Sequence, residues 1–169
     1  MRKSLWLILA VVVAALTVGT GAALATSGAH FFSADSSVAD DGALVVTWDE
    51  AGVGQQQVNY ILTADATATY ACINGGGNHP KASNKEDVSG PLASPETGFQ
   101  PENGRVQGSL SVGPLPSELD CPSGQTFVLA CVSYSNIELT DTSNNVSTED
   151  RREPHIADVS RTFVNISGC

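Results

Sequence analysis

The run Val58–Ile73, VNYILTADATATYACI, decides the fold. One alternating set, Val58, Tyr60, Leu62, Ala64, Ala66, Ala68, Tyr70 and Cys72, is apolar at every position. The other set, Asn59, Ile61, Thr63, Asp65, Thr67, Thr69, Ala71 and Ile73, is mostly polar. A period of two, rich in β-branched and aromatic residues, is the pattern of a strand with one face on a core and one towards water. The run exceeds the usual strand of roughly 3–10 residues, so a bend or bulge is expected near the small Ala64–Ala68 segment. Glycines 75 to 77 end it.

Shorter runs repeat the signal on either side. His30–Val38 has weak strand character, and Asp40-Asp41-Gly42 reads as a turn. In Leu44–Asp49, Leu44, Val46 and Trp48 alternate against Val45, Thr47 and Asp49. In Arg105–Val112, Val106, Gly108, Leu110 and Val112 alternate against Arg105, Gln107, Ser109 and Ser111. Thr126–Leu139 is a second long strand, apolar on both faces in its first half, which marks a central, doubly covered position. A short strand is expected at Val146–Thr148 and a last one at Asp158–Ile166. Gly75 to Pro101, rich in Gly, Pro, Ser and Asn, reads as one long loop with at most a short strand at Asp87–Ser89. No segment carries a 3.6-residue apolar stripe. Seven or eight strands separated by turn signals predict an all-β, antiparallel β-sandwich, immunoglobulin-like or similar.

The N-terminus has the marks of a cleaved signal peptide over residues 1–25. Arg2 and Lys3 precede the apolar run Leu5–Val18, and Ala23-Leu24-Ala25 offers small residues for cleavage. The apolar run, about 14 residues, is short against the ~20 needed to span a bilayer. No cysteine follows it to take a lipid. The expected mature chain is Thr26–Cys169, one secreted domain of 144 residues, with cleavage after Ala29 as the alternative. Such a length suits a single core. The full chain carries 8 basic and 18 acidic residues, net charge −10. Losing Arg2 and Lys3 brings this to −12, which argues against nucleic acid and anionic membranes as partners. A monomer is expected.

All four cysteines, Cys72, Cys121, Cys131 and Cys169, lie beyond the signal, and an even count in an exported chain reads as two disulfides. A zinc site would need closely spaced Cys or His pairs, and there are none. Of three possible connectivities, Cys72–Cys121 with Cys131–Cys169 is favoured. Cys72 and Cys121 are both loop-adjacent strand ends, while Cys169 is placed to pin the C-terminal strand to Cys131.

Catalytic signatures are sparse. No serine lies in a G-x-S-x-G elbow. His30, His79 and His155 are isolated, and although a triad can assemble from distant residues, loop histidines are the plainer reading. Eighteen acids will place some pair at glycosidase distance by chance. Asp141, Ser143 and Asn145 open like an EF-hand loop, but Val146 stands where glycine is needed and Arg152 where glutamate is needed. A looser calcium cage from Asp40, Asp41 or Asp141 stays open, and no cofactor is indicated. Trp48, Tyr60, Tyr70 and Tyr134 would make a sugar-stacking platform if they faced outwards, but their strand positions put them in the core. Asn145-Val146-Ser147 and Asn165-Ile166-Ser167 match the N-glycosylation pattern, unused if the signal is bacterial.

The unusual residues crowd one loop. Gly75, Gly76, Gly77, Asn78, His79, Lys81 and Lys85 combine backbone freedom with positive charge on an acidic chain. Gly75–Asn78 could cradle an anion, but no helix opens after it as a nucleotide site requires. Long loops in compact domains are functional or disordered, so this loop is the expected binding region, facing an anionic partner such as a wall polymer.

The runs DGALVVTWDEAG, ATATYACINGGGNHPKASNK and CPSGQTFVLACVSYSNIELTDT, beginning at residues 41, 66 and 121, resemble a family of small exported actinobacterial β-rich proteins of unknown function. The likeness covers about residues 30–148. It implies secretion and a β-rich domain, and no catalytic residues come with it. The expected architecture also resembles neocarzinostatin-type apoproteins at the level of fold alone. Three functions follow as expectations. The first is a non-catalytic exported domain that binds an extracellular or cell-envelope component. The second is a carrier of a small apolar ligand between the sheets. The third is a secreted hydrolase.

Overall fold

The computed structural model describes residues 28–75 and 84–169; the expected signal peptide and the centre of the glycine loop, residues 76–83, lie outside the described residues. Strand β3, Val58–Asn74, is the organising run of the sequence, and it alternates buried and less buried positions from Val58 to Thr67. It pairs antiparallel with β7, Gln125–Asp141, along its whole length. Its other edge takes β4, Lys85–Ala93, and then β5, Thr97–Phe99. Buried Ser94 bridges the gap between those two: its N–H donates to Leu62 O at 2.8 Å and its Oγ accepts from Leu62 N at 3.0 Å. The free edge of β7 takes β8, Val146–Ser147, and β9, Val159–Thr162. A second sheet has the order β1–β2–β6, from His30–Val38, Leu44–Ala51 and Arg105–Val112.

The two antiparallel sheets, of six and three strands, form an all-β sandwich of nine strands among the described residues. The count exceeds expectation because the segment read as one long loop contains β4 and β5. Gly90 and Pro91 mask β4 in sequence, yet an edge strand tolerates a proline whose missing N–H faces away from the ladder.

Trp48, Tyr60, Leu62 and Tyr134 fill the space between the sheets, all at most 3 % exposed. Trp48 lies 4.8 Å from Tyr60 and 5.0 Å from Phe99, ring centre to ring centre. Tyr70 is buried as well, so the four residues considered as an outward sugar platform, Trp48, Tyr60, Tyr70 and Tyr134, all lie inside, as their strand positions predict.

Irregularity in the central pair falls where expected, but on the partner strand. Between Thr63 and Asp65 the register slips by one residue of β7. There Asn136 takes a left-handed φ of 49° and donates to Asp65 Oδ2 at 2.8 Å. A second slip falls between Thr69 and Tyr70. From Ala68 to Cys72, β3 is buried on both faces, because the C-terminal segment crosses the outer face of this sheet. Ala71, Ala130 and Ile166 form a small second core there. Ala130 O accepts from Phe163 N at 2.8 Å and Val164 N at 3.0 Å. The disulfides are Cys72–Cys121 and Cys131–Cys169, and the second fastens the chain end over that core.

The double coverage expected for the start of β7 is only partial. Ala130 is enclosed, but Phe127 stays 45 % exposed, stacked on Tyr70 with ring centres 5.2 Å apart.

Candidate functional site

Among the described residues, no segment is laid across the outer face of the three-stranded sheet as one is on the six-stranded sheet. Its side chains come from three strands. In β2, Thr47 and Asp49 point outwards because Val46, Trp48 and Glu50 point into the core. In β6, Arg105, Gln107 and Ser109 are exposed because Val106 is buried between them and the core side of the strand.

In β1 the alternation breaks. His30 faces Ala51 and Phe31 faces Glu50, but Ser33 faces Asp49, so Phe32 is the extra residue of a β-bulge. A bulge re-aims a side chain, and here Phe31 is 4 % exposed in the core while its neighbour Phe32 is 70 % exposed. Phe32 is thus a large apolar ring held out over a polar sheet.

The groups beside it are fixed. Arg105 donates to Asp49 through two nitrogens, Nε to Oδ1 and Nη2 to Oδ2, each at 2.5 Å. Gln107 Nε2 also donates to Asp49 Oδ2, at 2.8 Å. The Arg105 hydrogen bond holds the Asp49 carboxyl below its usual range and raises the guanidinium pKa in turn. A two-pronged guanidinium–carboxylate pair fixes orientation as well as charge. The Arg105 guanidinium also lies 5.4 Å from the centre of the Phe32 ring.

An open depression of about 610 Å³ runs alongside, lined by Ser33, Thr47, Asp49, Gln107 and Ser109 and reaching Phe99 at the sheet edge. Gly108 shapes it: a Cβ there would come within 2.5 Å of the Trp48 ring, so glycine lets the indole lie against the backbone of β6. A second hollow, about 700 Å³, continues past Arg105 and Gln107 to the Asn103-Gly104 turn. Both turn residues have positive φ, 53° and 76°, as an Asn-Gly hairpin requires.

Beneath this face lies a buried acid. Glu50 is fully buried, and Tyr60 Oη donates to its Oε2 at 2.6 Å. Among the described residues no group bonds its Oε1 with regular hydrogen-bond geometry. Asp141, also fully buried, accepts from Ser143 N, Asn144 N and Asn144 Nδ2 at 2.8, 2.9 and 2.6 Å. Burial drives the Glu50 pKa up to about 8, and the carboxylates of Asp141 and Glu153 push the same way against the Tyr60 hydrogen bond. Burial and Glu50 together raise the Tyr60 phenol. None of Glu50, Tyr60 and Asp141 is open to solvent, so this cluster reaches no substrate and acts on stability.

Of the residues singled out in sequence, those that are described stand apart from this face. Of the glycine loop only Gly75 and Lys85 are described, and Lys85 Nζ donates to Ser167 O. Gly76, Gly77, Asn78, His79 and Lys81 lie outside the described residues. His30 is exposed and bonds Gly28 O at 2.7 Å, and exposed His155 sits 3.3 Å from Glu149. Asp40 pairs with Arg161 at 2.7 Å, while Asp41 caps its own turn through Ala43 N at 3.0 Å. Among the described residues, no group of three or more His, Cys, Asp or Glu side chains gathers as a metal site. No helix among them is long and apolar enough to cross a membrane.

Phe32, Arg105 and Gln107 were not marked as functional by sequence. Only the paired phenylalanines Phe31-Phe32, which strict alternation cannot bury together, carried a signal. Fold and disulfides define a two-sheet β-sandwich stapled at two points. No family model, curated protein or solved structure matches the chain.

Proposed function

We propose that this chain is an exported, non-catalytic binding domain. Its partner is an extracellular or cell-envelope component, and its contact surface is the outer face of β1, β2 and β6. The observation that carries this reading is Phe32, 70 % exposed and raised by a bulge beside the fixed Asp49–Arg105–Gln107 group. A ligand that covers the ring gains apolar burial, and rigid polar neighbours lower the entropy lost when it is held. Export is supported by the basic-then-apolar N-terminus and by two disulfides, which persist in oxidising compartments. The resemblance to exported actinobacterial proteins supports the same placement.

The rival readings have less behind them. A carrier needs room between the sheets, where Trp48, Tyr60 and Phe99 are in ring contact. A triad hydrolase would be favoured by a buried histidine, and among the described residues both histidines, His30 and His155, are exposed, His79 lying outside them.

The test is sedimentation of the mature protein with isolated cell-envelope material. Phe32→Ala should release it, while a variant lacking residues 76–83 should stay bound. Loss of binding on that deletion, with Phe32→Ala still bound, would move the site to the glycine loop and overturn this reading.

A further inference from the structure

We infer that the ligand of the Phe32 face is an uncharged, extended polysaccharide lying across the three strands, with one sugar ring stacked on Phe32. The inference rests on the binding reading above and names its ligand.

The first reason is the make-up of the face. One exposed aromatic, Phe32, lies against Arg105 and next to Ser33, beside a depression lined by Asp49, Gln107 and the hydroxyls of Ser33, Thr47 and Ser109. A protein partner with an apolar patch would bury the hydroxyls of Ser33, Thr47 and Ser109 without partners, which costs free energy. A pyranose has both surfaces required: C–H groups on its flat face for the ring, and hydroxyls around its rim for the polar groups.

Charge is the second reason. Arg105 is paired with Asp49 through two nitrogens, so among the described residues this face presents no unpaired Lys or Arg to an anionic polymer. Exposed Asp35 on β1 and the overall charge of −10 repel one. A neutral ligand suffers neither effect.

Spacing is the third. Ser33, Asp49 and Gln107 occupy one row across β1, β2 and β6, and Asp35, Thr47 and Ser109 occupy the next row. Adjacent strands lie ~4.7–4.9 Å apart, so each row repeats a hydrogen-bonding group at that interval. The interval is close to the advance of one sugar along an extended β-linked chain. Five of these six residues, all but Asp35, line the open depression.

Affinity gel electrophoresis and calorimetry test this with the mature protein and named glycans: cellulose and mannan oligosaccharides, chitin oligosaccharides, and pectate as the polyanion. At least one neutral β-linked glycan should bind, with an affinity that added salt leaves unchanged. Phe32→Ala should weaken it about tenfold or more, the equivalent of ~1.4 kcal/mol. Phe32→Tyr, which keeps the ring, should retain binding. Preference for pectate with salt-sensitive affinity would overturn the inference, as would equal binding by Phe32→Ala. If no neutral glycan binds while envelope sedimentation still depends on Phe32, the glycan inference fails and the binding reading survives. If sedimentation is also indifferent to Phe32, both fail.

Discussion

The two outer faces of this sandwich are built from the same kind of alternating strand and meet different fates. On the six-stranded sheet, the C-terminal segment lies over Ala71 and Ala130, brings Ile166 down onto them and is tied to β7 by Cys131–Cys169. On the three-stranded sheet no such segment crosses among the described residues, and a bulge turns Phe32 outwards. One face has its apolar side chains closed by the chain itself. The other keeps an aromatic ring open beside a neutralised ion pair. The contrast separates apolar residues used for folding from one left on the surface.

The contrast breaks most sharply at two adjacent residues. Phe31→Ala removes a core ring that lies 6.4 Å from Tyr60 and should cost ~3–5 kcal/mol in denaturant unfolding. A cost below that of an ordinary surface change would mean that the bulge is misplaced.

Opening the covered face comes next. Cys131→Ser with Cys169→Ser should lower stability by ~2–5 kcal/mol and expose backbone amides near Ala130 to hydrogen exchange. Unchanged protection there would show that the small core holds the segment without its staple.

Beneath the bare face, Glu50 makes stability depend on pH. Its folded pKa, about 8, lies above its ordinary 4.5, so the folded state keeps a proton that the unfolded chain releases. The contribution is therefore full below pH about 4.5 and is lost as pH rises through about 8, a change on the order of a few kcal/mol. Asp141, Glu153 and Tyr60 are the titratable groups acting on it. Glu50→Gln, uncharged throughout, should flatten that slope in thermal melts. An equally steep slope in the variant would assign it to other groups.

The smallest expected effect is the most telling. Phe32→Ala should change folding stability by no more than ~0.5 kcal/mol while removing envelope binding. A large loss of stability would make Phe32 part of the core after all.

Alternation alone determined the strands at Val58, Leu44, Arg105 and Gln125 and the inward direction of Trp48, Tyr60 and Tyr134, because side-chain period is a local property of extended chain. The cysteine count and the loop-adjacent ends of Cys72 and Cys121 pointed to the observed pairing. Local sequence did not separate β4 and β5 from loop, because Gly90 and Pro91 are tolerated only once β3 supplies a partner on one side. It also missed the bulge at Phe32. A strand's phase is set by what its neighbour pairs with, and Phe31 and Ala34 both turn inwards only because Glu50 and Trp48 of β2 face them across the ladder. The protonated Glu50 is likewise a tertiary outcome: Tyr60 and Asp141 approach it from the other sheet, and burial between the sheets makes its charge costly.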